Sequence, residues 1–200
     1  ITRALTRLTL DRGGPRDLRA IAGAVDGARR LAQELAGIED AALLSIAQTL
    51  ADAPDATAAE LLSAIDDEPP LLARDGGFIR KGYDDKLDAE RALASETRDV
   101  VAALQARLIA ETDVKSLKIR HNGVLGYFVE VPAGHGGKLL EEPHRQVFIH
   151  RQTMASAMRF TTAELAELEG RIARAHEAAL GIEAALFSRL VQLVLVETTR

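Results

Sequence analysis

The sequence predicts a mainly α-helical chain in which long antiparallel helices carry a small inserted α/β region with a four-stranded, mostly antiparallel sheet. Three observations predict it. Apolar residues recur at helical spacing through most of the first 111 residues. Between 116 and 161 the period changes to two. From 163 onward it returns to alternating steps of three and four, through Leu165, Leu168, Ile172, Ala175, Ala179, Ile182 and Leu186. A period near 3.6 marks a helix with one apolar face, a period of two marks a half-buried strand, and alternating threes and fours mark a coiled-coil seam.

Taken in order, Ile1, Leu5 and Leu8 open a helical pattern that Gly13-Gly14-Pro15 breaks. Pro15 suits the first turn of the next helix, where its missing N–H has no bond to lose. That helix runs to about 35 through Leu18, Ile21, Val25 and Leu31, and Gly37 suits its stop. A helix over 39–51 ends before Pro54, and one over 57–66 takes Asp55 or Thr57 as its N-cap. Asp67-Glu68-Pro69-Pro70 cannot remain helical, Asp75-Gly76-Gly77 reads as a turn, and Phe78-Ile79 as a short extended piece. Asp84 then caps a helix to about 111 through Leu87, Val100, Leu104 and Leu108, with Asp85 and Asp88 at its positive end.

The period-two region contains four strand patterns. Leu117 and Ile119 alternate with Lys118 and Arg120, and Tyr127, Val129 and Val131 alternate with Phe128 and Glu130. Val147 and Ile149 alternate with Phe148 and His150, and Met158 and Phe160 flank Arg159. Asn122-Gly123 signals a hairpin because both residues tolerate positive φ. A loop or short helix is expected over 133–144. Thr162 is the expected N-cap of the last helix, 163–196, whose seam finds its natural partner in the 84–111 helix. Pairing with a second copy is the alternative.

The chain has 200 residues, 47% apolar and 28% charged, enough to bury a core. It has no cysteine, which excludes disulfides and thiolate metal sites. No apolar run approaches the roughly 18 residues needed to span a bilayer, and no membrane partner is expected. The helical patterns already running at Ile1 and still running at Val194 read as a segment of a longer protein.

The net charge of −5 is unevenly spread. Residues 115–160 hold seven Lys/Arg and three acids, a local +4 that leaves −9 on the remainder, and four of the five histidines also lie there. Such asymmetry marks an anion-binding region on an acidic scaffold, with a solvated face as the plain alternative. Lys118 and Arg120 share one strand face by alternation. The candidate contacts to an anion are Lys118, Arg120, Asn122, Arg151, Thr153, Ser156 and Arg159. Other signals are weaker. His121, His135, His144 and His150 fit no zinc spacing, so no metal is expected. Gly134-His135-Gly136-Gly137-Lys138 lacks the Walker spacing and is followed by Leu139, which reads as a flexible turn. The carboxylate pairs Glu141-Glu142 and Glu167-Glu169 read as solvated helix faces, and no nucleophile–base set can be assigned, so no catalytic residue is expected.

Ser116-Leu117-Lys118-Ile119-Arg120-His121-Asn122 followed by Gly126-Tyr127-Phe128-Val129-Glu130-Val131 resembles a stretch of the MutS mismatch repair family. So do Phe148-Ile149-His150-Arg151-Gln152-Thr153 and Met158-Arg159-Phe160-Thr161-Thr162-Ala163-Glu164-Leu165. Upstream, Arg12-Gly13-Gly14-Pro15-Arg16-Asp17-Leu18 and Asp75-Gly76-Gly77-Phe78-Ile79 with Gly82-Tyr83-Asp84 also resemble it, in order and with compatible spacing. Gly123, Ala155 and Ser156 depart from the commoner residues of that family.

The resemblance implies lever helices at 1–97 and 163–200 and an inserted clamp at 98–162. It implies backbone binding of double-stranded DNA without sequence preference, including mismatched duplex through the parent protein. It also implies a cytoplasmic, nucleoid-associated homodimeric parent whose ATP- and magnesium-dependent ATPase domain lies outside this chain. No cofactor is then expected in the chain itself. The rival to that reading is a coiled-coil scaffold whose basic tip binds an acidic protein partner.

Overall fold

The protein is described here from a computed structural model covering residues 1–198; the last two residues of the expected returning segment 163–200 lie outside the described residues. In chain order the helices are α1 (Thr2–Thr9), α2 (Pro15–Leu35), α3 (Ala41–Ala51), α4 (Asp55–Ala64), α5 (Asp85–Thr112), α6 (Ala133–Leu140) and α7 (Ala163–Glu197). The strands are β1 (Lys118–Asn122), β2 (Gly126–Pro132), β3 (Ile149–Thr153) and β4 (Ala157–Thr161). The mainly helical class and the four-stranded antiparallel sheet match the expectation. Two compact units form, one from Ile1–Asp88 with Ala179–Arg200 and the other from Ala89–Ala178.

In the first unit, Leu8, Leu18, Ile21, Leu61, Ile65, Phe78, Leu87 and Leu190 form the core. Pro15 opens α2 as expected, and Asp17 closes that end by accepting the Gly14 N–H and pairing with Arg7 of α1. Burial pushes the Asp17 carboxyl up, but the Arg7 guanidinium and the Gly14 N–H more than offset this and hold it below its ordinary value. Leu31 of α2 is exposed rather than buried. Gly37 does not take a left-handed stop; α2 ends at Ala36 in ordinary right-handed geometry. Asp40 caps α3 by accepting from Ala42 and Leu43. On α4 the expected Asp55 or Thr57 cap is replaced by Pro54, whose fixed backbone already sets the helix entry, so Asp55 lies inside the first turn.

The turn at 75–77 depends on its glycines. Gly76 and Gly77 have φ of 67° and 75°, and a Cβ on Gly76 would come 2.5 Å from Leu180. Beyond the turn, Ile79 bridges Ile65, which is the short extended piece expected there. The N–H groups of Gly77 and Ile79 donate to the buried Glu183 carboxylate.

α7 contains an 18-residue window of mean hydropathy 1.8, long and apolar enough by length and composition to cross a bilayer. This corrects the expectation that no segment reaches that length. The interrupting charges, Glu183 and Arg189, are spaced widely enough for an apolar average to survive them. Core packing accounts for part of the apolarity, because Leu190, Val191 and Val194 are buried in the first unit.

In the second unit, Val101, Leu104 and Leu108 of α5 pack with Leu165, Leu168 and Ile172 of α7 beneath the sheet. The buried residue at the start of the α5 stripe is Val101, while the expected Val100 is 44% exposed. Asp84 and Thr162 cap their helices as predicted, accepting from Leu87 at 2.9 Å and Leu165 at 3.1 Å. Residues 134–138 are helical, not a flexible turn. Gly136 lies against Met158, where a Cβ would meet sulfur at 2.0 Å, so its glycine serves close packing. Val147 precedes β3 rather than belonging to it, and Phe148 turns into the core.

Candidate nucleic-acid interface

The sheet runs in the order β1-β2-β4-β3, every pair antiparallel. Its register follows from side-chain alternation. Ile119, Tyr127, Val129, Val131, Met158 and Phe160 point toward the core of the second unit. The opposite face carries Lys118, Arg120 and Asn122 from β1, Phe128 and Glu130 from β2, Arg159 from β4 and Gln152 from β3. One face is therefore apolar and covered, and the other is polar and mostly cationic.

Glu130 stands at the centre of the polar face. Lys118 is opposite it on β1 and Arg159 is opposite it on β4. Its two carboxylate oxygens are engaged separately: Oε1 forms an ion pair with Arg120 Nε, and Oε2 accepts a hydrogen bond from Arg159 Nε, each at 3.0 Å. Arg159 also donates through Nη1 to Gln152 Oε1 at 3.1 Å. Its guanidinium lies 4.6 Å from the centroid of Phe128. That stacking explains why Phe128, on the outer face, is only 3% exposed. Arg159 is thus fixed by three contacts, while Arg120 is held by Glu130 and remains 54% exposed.

Beside this cluster lies a cleft of about 320 Å³ whose lining includes Ser116, Lys118, Arg120, Glu130, Pro132 and Ser156. Among the described residues Lys118 and Arg151 have no ion pair. Arg151 occupies the irregularity between His150 and Gln152, a bulge that leaves it without a cross-strand partner and exposed.

The hairpin differs from the Asn-Gly turn predicted. Asn122 pairs with Gly126, so the loop is three residues long, and the positive φ falls on Gly126 at 69° rather than on Gly123. The Asn122 carboxamide oxygen accepts from the N–H groups of Val124 and Leu125, at 3.0 and 2.8 Å, which fixes the loop from within. That oxygen is committed, but the amide NH2 is not used in these bonds. Gly126 then admits Glu169 of α7, whose Oε1 would lie 1.7 Å from a Cβ there and accepts the Tyr127 N–H. At the sheet edge Gln105 of α5 accepts the Ile119 N–H at 2.7 Å.

The structure brings Lys118, Arg120, Arg159 and Asn122 onto one face and sets Ser156 at the cleft beside them. Thr153 sits apart. It pairs with Met158, on the register of the core side, and its hydroxyl meets His150 Nε2 at 2.9 Å. Three of the four candidate histidines pack against rings: His121 on Tyr127, His144 on Phe148 and His150 on Phe160. Sequence reasoning missed Glu130, Gln152 and Phe128. Alternation within 126–131 could have placed Glu130 with the cations, because the hairpin register sets it opposite Lys118.

An ammonium, two guanidiniums, an amide and a hydroxyl on a flat sheet face suit the oxygens of a polyanion. These are the groups that contact phosphates, and such contacts carry no base sequence directly.

Residues 82–178 match MutS family domain IV. Over 197 residues the chain is 49% identical to the DNA mismatch repair protein MutS of Nitrobacter winogradskyi, covering 98% of this chain and 22% of that protein. It is 49% identical over 200 residues to the protein of the same name from Azorhizobium caulinodans, covering all of this chain and 21% of that protein. The Nitrobacter hamburgensis MutS is 48% identical over 196 residues, 97% of this chain and 22% of that protein. The chain spans about a fifth of the length of the curated relatives it matches.

Proposed function

Because this chain belongs to the MutS family, we propose that its sheet-bearing region acts as a clamp that holds duplex DNA by the backbone, without base preference. The observation that supports this most is the division of the sheet. Lys118, Arg120, Asn122 and Arg159 share a face whose reverse is buried in the core. On this reading residues 98–162 form the clamp and the flanking helices form the lever. The chain itself does no catalysis. Its parent is a cytoplasmic homodimer that meets mismatched duplex and uses ATP and magnesium in a domain beyond this chain. α5 and α7 each contribute residues to both cores, which offers a covalent route between DNA contact and that domain.

Titration of matched and mismatched duplex with the 200-residue chain tests the reading. With about two to four phosphates neutralised, log affinity against log salt should slope at roughly −2 to −4, with Kd around 10⁻⁴ M or weaker at physiological salt. Lys118→Glu with Arg151→Glu should remove the binding. Arg29→Glu with Arg30→Glu, in the other unit, should change it little. Equal loss in both double variants would make the attraction diffuse and end the clamp assignment. Capture of acidic polypeptides without any duplex binding would replace DNA by a protein partner.

A further inference from the structure

We propose that Glu130 is a built-in stand-in for phosphate. Its carboxylate holds Arg120 and Arg159 until a backbone phosphate displaces it, and so acts as a brake on the affinity of this face for DNA. The inference rests on the backbone-binding reading above.

The geometry separates this from an ordinary cross-strand ion pair. A stabilising pair needs one cation opposite one anion. Here Arg159 is opposite Glu130, whereas Arg120 is opposite Phe128 and reaches Glu130 diagonally. Each guanidinium takes its own carboxylate oxygen at 3.0 Å, so the single anion is fully divided between them. Lys118, also opposite Glu130, forms no ion pair among the described residues. Two guanidiniums thus share one carboxylate, and Lys118, Arg120 and Glu130 all stand at the cleft that Ser116 and Ser156 also line. A phosphate entering that cleft meets Lys118 and the Arg120 guanidinium that Glu130 now engages, and it meets Glu130 as a like charge.

The two halves of the cluster differ in how readily they exchange. Arg159 and Glu130 are 19% and 20% exposed, so their contact is shielded from solvent, and Phe128 and Gln152 keep the Arg159 guanidinium in place besides. Arg120 is 54% exposed, and among the described residues its ion pair is with Glu130 alone. It is the arm that can swing from carboxylate to phosphate at little cost, since exposed ion pairs contribute little. The carboxylate keeps the two guanidiniums close and oriented while lowering their net pull on a polyanion.

Glu130→Gln removes the charge and keeps the shape. By duplex titration at about 50 mM salt the 200-residue variant should bind about three- to tenfold more tightly than the unaltered chain, with a salt slope steeper by roughly 0.9 for each phosphate gained. Arg120→Gln alone should weaken binding about two- to fivefold, as the loss of one phosphate contact, and combined with Glu130→Gln it should cancel most of the gain. Binding by Glu130→Gln that is unchanged or weaker, with the amide protection of the sheet intact, overturns the proposal. Should that variant unfold the sheet, Glu130→Thr, uncharged and favourable in strands, makes the same comparison under the same criterion. If Lys118→Glu with Arg151→Glu abolishes binding while neither Glu130 variant tightens it, the DNA reading survives and the brake does not. If none of these changes moves the affinity, both readings fall.

Discussion

Replacing Glu183 with alanine should destabilise the first unit and leave the second nearly untouched. Glu183 is 2% exposed on α7, and its carboxylate accepts the Gly77 N–H at 2.7 and 3.0 Å and the Ile79 N–H at 3.3 Å. Gly76 and Gly77, both at positive φ, form the turn that aims these donors. Alanine leaves two N–H groups facing a space too enclosed for full hydration. At about 1–3 kcal/mol for each unsatisfied buried donor, the loss is about 2–6 kcal/mol. Glutamine keeps one carbonyl acceptor and should lose about half of that. Two compact units need not unfold together, so one denaturation midpoint would mix them. Hydrogen exchange of individual amides keeps them apart. Protection should fall about 30- to 20,000-fold at Leu61, Ala64 and Ile79, at about tenfold per 1.4 kcal/mol, and remain within about threefold at Val129 and Phe160. A drop below threefold at the first set would refute the idea that this carboxylate supports the turn. An equal drop at both sets would show that the two cores do not open separately.

Two further outcomes follow from the same reasoning. Gly126→Ala places a Cβ against Glu169 and forces alanine to φ 69°, so the second unit should lose about 2 kcal/mol by exchange at Val129, through left-handed strain and the displaced Glu169 contact; unchanged protection would show that the hairpin start is adaptable. Burial, and then the hydrogen bond to Glu60, push the Tyr83 phenol up to about 12. A phenol whose folded value exceeds its unfolded value of about 10 adds stability that is complete below pH 10 and is lost as pH rises through 12. The ultraviolet difference between the unaltered chain and Tyr83→Phe should titrate near 12, and a midpoint near 10 would contradict the Glu60 contact.

Most of the fold was legible because each element obeys a local rule. The seam in 163–186 gave α7, Asp84 and Thr162 gave two helix starts, and period two gave the strands. The misreadings share a cause, which is that tertiary packing outweighed a local preference. Three glycines in six residues suggested a flexible turn, yet Gly136 is needed for contact with Met158, and the segment is helical. Asn122-Gly123 marked the hairpin but not its glycine, since the positive φ and the close approach of Glu169 both fall on Gly126. Val100 and Val101 both fit a helical stripe, and only packing against α7 selects Val101.

The candidate site was legible as a list of cations and not as an arrangement. Counting charge over 115–160 treats Glu130 as one unit subtracted from seven, as if it were spread evenly. In the folded sheet it is not spread at all. One carboxylate engages the guanidiniums of both Arg120 and Arg159, and the remaining acids of that stretch, Glu141 and Glu142, lie after α6. Lys118 and Arg151 are left as the unpaired cations among the proposed contacts. Coulomb energy falls with distance and with solvent screening, so a half-buried partner at 3.0 Å matters more than a net charge summed over the chain. It follows that the strength of this face is set less by how many basic residues the segment holds than by which of them Glu130 has already engaged. That is why a single neutral substitution at an acidic residue is the sharpest probe of a surface first recognised by its basic ones.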